Sequence, residues 1–183
     1  MEFGDIVEKR RAYRALVPCE VSEELVRDLG DTAAMAPSCF NKQPWRFVFA
    51  YGQKALDKVK ESLASGNSWA QRASLIIGVY SKKDLDCVIK GREYYLFDTG
   101  MAAAFLQLKA TELGLVAHPI AGFDEKTAKE ALGIDDEMEL ITLIIVGKQA
   151  ENPENYLEGK QLEGERKRPP RKEFGEFASI DRA

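Results

Sequence analysis

A single histidine and three cysteines leave this chain of 183 residues little material for the commoner metal and nucleophile chemistries. Cys19, Cys39 and Cys87 are an odd number at spacings that match no metal-binding or redox motif, so no metal site is expected. A Ser-His-Asp or Cys-His arrangement would have to rest on His118, whose ordinary reading is a partner-satisfied histidine near a strand. Long apolar runs are also missing. Uncharged apolar runs such as Leu140 to Gly147 fall well short of the roughly 20 residues of a membrane span, so no membrane partner is expected. No apolar signal segment follows the acidic start Met-Glu-Phe-Gly-Asp, and a cytoplasmic location is expected. Positive charge is not in excess: 26 Lys and Arg against 30 Asp and Glu give a formal charge of -4, which argues against general nucleic-acid binding.

What is present suffices for one domain, with 45% hydrophobic residues for a core and 31% charged residues for its surface. Residues 2–11 have helical periodicity, and a second helix is expected after Ser22, an N-cap followed by Glu23 and Glu24 and ended by Pro37. Trp45 to Tyr51 alternates as a strand; apolar side chains on both faces predict a central position. A helix over 53–65, a strand over 74–80 and a long helix over 93–113 follow, the last rich in small residues and closed by Gly114. That helix suits either the domain core or a second subunit. Val116 to Phe123 reads as turn-prone because of Pro119 and Gly122. A short helix from Asp124 to Gly133 and a buried strand over 139–148 complete the pattern. From Lys148 the composition turns to mixed charge with scattered apolar residues. Such a tail is either unfolded or an arm anchored by Phe174, Phe177 and Ile180.

Two segments carry chemistry. The first is the run Pro37-Ser38-Cys39-Phe40-Asn41-Lys42-Gln43-Pro44-Trp45, whose amides and freed backbone groups need hydrogen-bond partners; turn chemistry or a ligand site would satisfy them. The second is Lys9-Arg10-Arg11-Ala12-Tyr13-Arg14. Three guanidiniums within five residues repel one another unless water or an anion compensates, and their planar forks match phosphate oxygens. A further basic run lies at Arg166-Lys167-Arg168-Pro169-Pro170-Arg171-Lys172.

In this order, together with Asn67, the small-residue helix and the segment Gly114-Leu115 to Pro119-Ile120-Ala121-Gly122-Phe123, these pieces resemble the nitroreductase family along nearly the whole chain. The resemblance implies an α+β, three-layer fold with a central, mostly antiparallel sheet flanked by helices, in an intertwined homodimer. It implies an FMN-binding domain over 1–148 and a C-terminal arm over 149–183 that packs on the partner subunit. Arg10 would take the FMN phosphate, Arg11 would lie beside it, and Arg14 would reach the pyrimidine edge of the flavin. Ala12 replaces a frequent serine and removes its hydroxyl. Arg171 and Lys172 would close the phosphate cradle. Pro37, Ser38, Cys39 and Asn41 would come from the opposite subunit, Asn67 would bond the ring, and Ile120, Ala121 and Gly122 would meet its reactive edge, with Phe40 on the substrate side. The activity implied is hydride transfer from NADH or NADPH to flavin N5 and, in ping-pong order, to a nitroaromatic, quinone or similar small acceptor. No side-chain catalyst is needed, because the cofactor carries the hard step. Dehalogenation or dehydrogenation on the same fold, and a non-catalytic flavin-binding protein, are the alternatives.

Overall fold

The computed structural model describes residues 2–182. Helix α1 (Phe3–Lys9) is followed by a short β1 (Leu16–Val17) and by α2 (Glu23–Ala34), whose N-terminus Ser22 caps by accepting the Leu25 N–H at 3.1 Å. Next come β2 (Arg46–Ala50), α3 (Gln53–Lys60), a 3-10 segment over Ser65–Arg72, β3 (Leu75–Ser81), and the hairpin of β4 (Val88–Ile89) and β5 (Arg92–Glu93). Helix α4 (Tyr95–Glu112) leads to β6 (Val116–Ile120), α5 (Glu125–Leu132), β7 (Glu139–Gln149) and α6 (Gly159–Arg166). Asp124 caps α5 through its carboxylate and the Thr127 N–H, and Gly133 ends it at a φ of 67°. Among the described residues no helix is long and apolar enough to cross a membrane.

Strand β7 is the axis of the sheet. β3 and β6 pair with the same stretch, Leu143 to Val146, and therefore occupy opposite edges of it; β2 lies outside β3, and β1 joins the end of β7 at Lys148 and Gln149. All these pairings are antiparallel. Alternation then sorts the apolar side chains into two cores. Ile76, Leu143 and Ile145 face α3 and α5 with Leu56, Val59 and Ala128, whereas Leu75, Ile77, Ile144 and Val146 face α2 and α4 with Leu29, Ala102 and Leu106. The result is the expected α+β, three-layer architecture.

Two expectations need correction. β2 is an edge strand among the described residues, not a central one. Its two apolar faces arise because helices cover the sheet on both sides: Phe47 and Phe49 pack into one core, Val48 and Ala50 into the other. The stretch from Val116 is a strand rather than a turn. Pro119 is tolerated because β6 pairs on one side only, opposite Ile144, so its missing N–H breaks no second ladder. The chain after β7 does not leave the body at once: Ala150 and Leu157 are buried in the α3/α5 core, and Glu165 on α6 is buried too.

Close packing makes Gly78 on β3 a sensitive position. A Cβ there would lie 2.8 Å from Leu132 Cδ1 and 2.9 Å from Val48 Cγ1. Overpacking of this kind costs about 1–3 kcal/mol, against a gain of about 0.5–1 kcal/mol from replacing a strand glycine. Gly78→Ala should therefore lower the urea midpoint by a net loss of about 1 kcal/mol; an unchanged or raised midpoint would show that Val48 and Leu132 move aside freely.

Candidate anion-binding site

The segment between α1 and β1 is held in extended form by a carboxylate from the far end of the chain. Glu165, 4% exposed, accepts the Arg14 N–H at 2.9 Å on one oxygen and the Ala15 N–H at 3.1 Å on the other. Ala15 O accepts the Ala150 N–H at 2.8 Å, which ties the same segment to the end of β7. Arg11 Nη2 donates to Gly164 O at 2.8 Å, and its guanidinium lies 4.7 Å from the centroid of the Tyr13 ring. Arg168 Nη2 donates to Arg10 O at 3.1 Å and also to Glu8 O. Distant stretches are thereby folded onto one another.

Their side chains form a one-signed cluster. Burial, followed by the charges of Arg168 and Arg171, holds the Arg10 pKa below its usual value. Arg14 lies 6.0 Å from the centroid of the Trp69 ring, and His118 stacks on that ring at 4.6 Å with a 27° interplanar angle. The His118 Nδ1–H donates to Tyr13 O at 3.0 Å, since a carbonyl can only accept, and Nε2 is left as the free acceptor in the neutral ring. Burial first, then Arg14 and Arg10, push His118 down to about 4, against a favourable bond to Tyr13. Among the described residues none of Arg10, Arg11, Arg14, Arg168 and Arg171 forms an ion pair with a carboxylate. Repulsion is left standing, and an anion with several oxygens is the ligand that would relieve it.

The neighbouring wall is a set of interlocked amides. Asn67 accepts from Trp69 Nε1 at 3.2 Å and donates to Gly122 O at 2.9 Å, so its side chain braces the end of β6. Gly122 has to be glycine here, because a Cβ would lie 2.6 Å from Asn67 Nδ2. Ile120 is buried, Ala121 is exposed and Gly122 half-buried. Ala12, Arg171 and Lys172 are exposed. A cleft of about 690 Å³ adjoins this region and shares Arg11, Tyr13 and Arg168 with it, but Asp5 and Glu8 on its wall make it a poorer anion site.

The loop of Pro37, Ser38, Cys39, Phe40 and Asn41 is elsewhere. It precedes Arg46, which pairs with Tyr80 and so with the Leu140 end of β7, while β1 pairs with Lys148 and Gln149. Leu140 and Lys148 are roughly 27 Å apart along a strand rising about 3.4 Å per residue. One chain therefore does not bring this loop to its own arginines. Within the loop Ser38 Oγ accepts the Gln43 N–H at 3.0 Å, the Cys39 N–H donates to Asp98 at 2.6 Å, and Phe40 is 84% exposed. Contact with Cys39, then burial, pushes the Cys87 thiol up to about 11, which keeps it from acting as a nucleophile at neutral pH.

Two members of the arginine site were not singled out by sequence. Arg168 is one of five basic residues in a run with no internal mark, and Glu165 sits in a mixed-charge stretch whose burial no periodicity announces.

Known proteins resemble this chain over most of its length. The sequence model of the nitroreductase family matches residues 7–91 and 89–148. MhqN of Bacillus subtilis (strain 168), whose name designates a candidate NAD(P)H nitroreductase, is 25% identical over 211 aligned positions covering 96% of this chain and 98% of its own. Among solved structures, an oxidoreductase containing FMN superposes with a TM-score of 0.84 at 27% identity, over 97% of this chain and 90% of that one. A nitroreductase family protein from Clostridium novyi NT does so with a TM-score of 0.75 at 26% identity, over 85% and 92% of the two chains.

His118 gives the site a pH signature. Its pKa falls from 6.5 to about 4 on folding, so between those values the unfolded chain binds a proton that the folded chain does not. Stability conferred by the neutral ring should be complete above pH 6.5 and decline as the pH falls toward 4, by about 3 kcal/mol in all. Urea midpoints measured across this range should flatten in His118→Gln; an equal slope in both proteins would place the titration elsewhere.

Proposed function

This chain belongs to the nitroreductase family, whose general activity is FMN-dependent oxidoreduction, and we propose that it draws hydride from NADH or NADPH and delivers it in ping-pong order to a small acceptor of the nitroaromatic or quinone type. One observation carries the reading: Arg10, Arg14, Arg168 and Arg171 gather from both ends of the chain and, among the described residues, none is in an ion pair with a carboxylate. That donor set fits a phosphate-bearing cofactor. Arg10, with Arg168 and Arg171, would hold the phosphate. Arg11, engaged with Gly164 and Tyr13, would brace the segment, and Lys172 would add long-range attraction. Ala12 contributes no hydroxyl. Arg14, beside Trp69, would stand at the pyrimidine edge of the ring, where a fixed positive charge favours the reduced state. Asn67 and the backbone of Ile120, Ala121 and Gly122 would face the reactive edge, their positions locked by the Asn67 to Gly122 bond. Bound there, FMN would supply the hydride acceptor and donor that no side chain of this protein provides.

A homodimer belongs to the same proposal. The loop of Pro37, Ser38, Cys39 and Asn41 lies at the wrong end of the sheet to serve its own arginines, so a second copy would have to present it, with Phe40 toward the acceptor. Leu96, Phe97 and Phe105 on α4, Phe3 on α1, and Phe174, Phe177 and Ile180 on the arm are exposed, as an unpartnered protomer of such a dimer would leave them.

Anaerobic addition of NADH or NADPH to the FMN-loaded protein should bleach its visible absorbance, and the acceptor should restore it; an FMN-bound protein that neither nicotinamide bleaches would overturn the reductase reading. Arg10→Ala should weaken FMN binding by about 1.5–3 kcal/mol, the usual worth of a hydrogen bond to a charged group, and unchanged affinity would remove Arg10 from the phosphate site. Truncation after Glu165 removes Arg168, Arg171 and the exposed aromatics. Release of FMN together with a shift to monomer by light scattering is expected, whereas a truncated chain that stays yellow and dimeric would refute the arm's role.

A further inference from the structure

The Leu140 end of the sheet carries a second cluster, of opposite sign, whose Asp86 and Cys87 the proposed chemistry does not use. Cys39, from the loop after α2, and Asp86 with Cys87, from the segment before β4, bring two sulfurs and a carboxylate oxygen within 4.8 Å of one another. Asp86 Oδ1 accepts the Cys87 N–H at 2.7 Å, but its Oδ2 is buried and has no hydrogen-bond partner. Asp98, 1% exposed, closes the group from α4 by accepting the Cys39 N–H. Among the described residues neither Asp86 nor Asp98 is in an ion pair. A buried carboxylate oxygen without a donor is unfavourable on its own.

We propose that Cys39, Asp86 and Cys87 form a binding site for one thiophilic divalent cation of the zinc class. Two sulfurs and one oxygen suit such an ion in kind and number, and the fourth tetrahedral position is open to water. Bonds of about 2.3 Å to sulfur and 2.0–2.2 Å to oxygen place donors about 3.3–3.8 Å apart around the ion, a contraction that side-chain rotation can supply. The Asp98 bond to the Cys39 backbone holds the first ligand in place, as supports behind metal ligands do.

The cation would act as a clip. Cys39 opens a loop in which Phe40, Asn41 and Gln43 adopt φ values of 48°, 55° and 49°, a left-handed conformation that non-glycine residues keep only where their surroundings enforce it. Tying Cys39 to Asp86 and Cys87 would supply that enforcement across 48 residues of chain. No close spacing of ligands announces the site, because only the approach of the loop after α2 to the segment before β4 creates it.

The test uses the full chain, freed of metal by a chelator and reduced with a phosphine under nitrogen. Titration with Co²⁺ should give one equivalent per chain with a thiolate-to-cobalt charge-transfer band in the difference spectrum, discharged by Zn²⁺. The band should vanish in Cys39→Ser and in Cys87→Ser, Asp86→Asn should bind at least about tenfold more weakly, and Cys19→Ser should behave as the parent. Alkylation followed by mass spectrometry needs no variant: Zn²⁺ should protect Cys39 but leave Cys19 reactive. Absence of the band and of protection in the reduced native chain would overturn the proposal, as would a band that survives in the Cys39→Ser/Cys87→Ser double variant. A Cys39–Cys87 disulfide in air, with no cation uptake after reduction, would also overturn it and mark a redox pair instead.

Discussion

The Glu165 carboxylate, accepting from the Arg14 and Ala15 N–H groups, organises the arginine-rich end of this protein. A charged acceptor shared by two backbone donors is strong, and burial makes its loss expensive. It joins the segment after α1 to α6, and so brings the residues that follow α6 against those that precede β1. Arg168 reaches the Arg10 carbonyl from there, and Arg171 comes close enough to act on the Arg10 charge. The same carboxylate is spent on backbone donors, and among the described residues the guanidiniums of the cluster form no ion pair.

That imbalance is a cost the fold carries in advance. Like charges are gathered beside a buried, neutral histidine and a tryptophan, and the energy to hold them comes from the two apolar cores and from the Glu165 and Asn67 bonds rather than from the cluster itself. In the proposed function a chain with one histidine serves redox chemistry because its residues would bind and bias a cofactor, while His118 is a packing and hydrogen-bonding element between Tyr13 and Trp69.

The two ends of β7 have opposite chemical characters. Arginines and aromatic rings gather at the Lys148 end, thiols and carboxylates at the Leu140 end, and the length of the strand keeps them apart within one chain. In the proposed dimer the loop bearing Cys39 would meet the arginines of the other copy, so the rigidity of that loop would matter to a site on the neighbouring subunit.

Much of this was readable from residue order. Ser22, Asp124 and Gly133 mark helix ends because caps are local interactions, the alternation of β7 follows from the pleat, and the series of motifs implied the family before any contact was known. Position within the sheet was not readable for β2, since a strand covered by helices on both faces has the same apolar pattern at an edge as at the centre. Pro119 concealed β6 because propensity does not know which side of a strand lacks a partner. By itself the sequence determined most of the helices and strands, the arginine-rich segments and the kinship, all of which depend on neighbours a few residues apart. Only the tertiary structure decided that Glu165 would be the latch, that Arg168 would join Arg10, and that Cys39 would meet Asp86 and Cys87, because each is a contact between distant segments whose geometry is set by packing the layers onto β7.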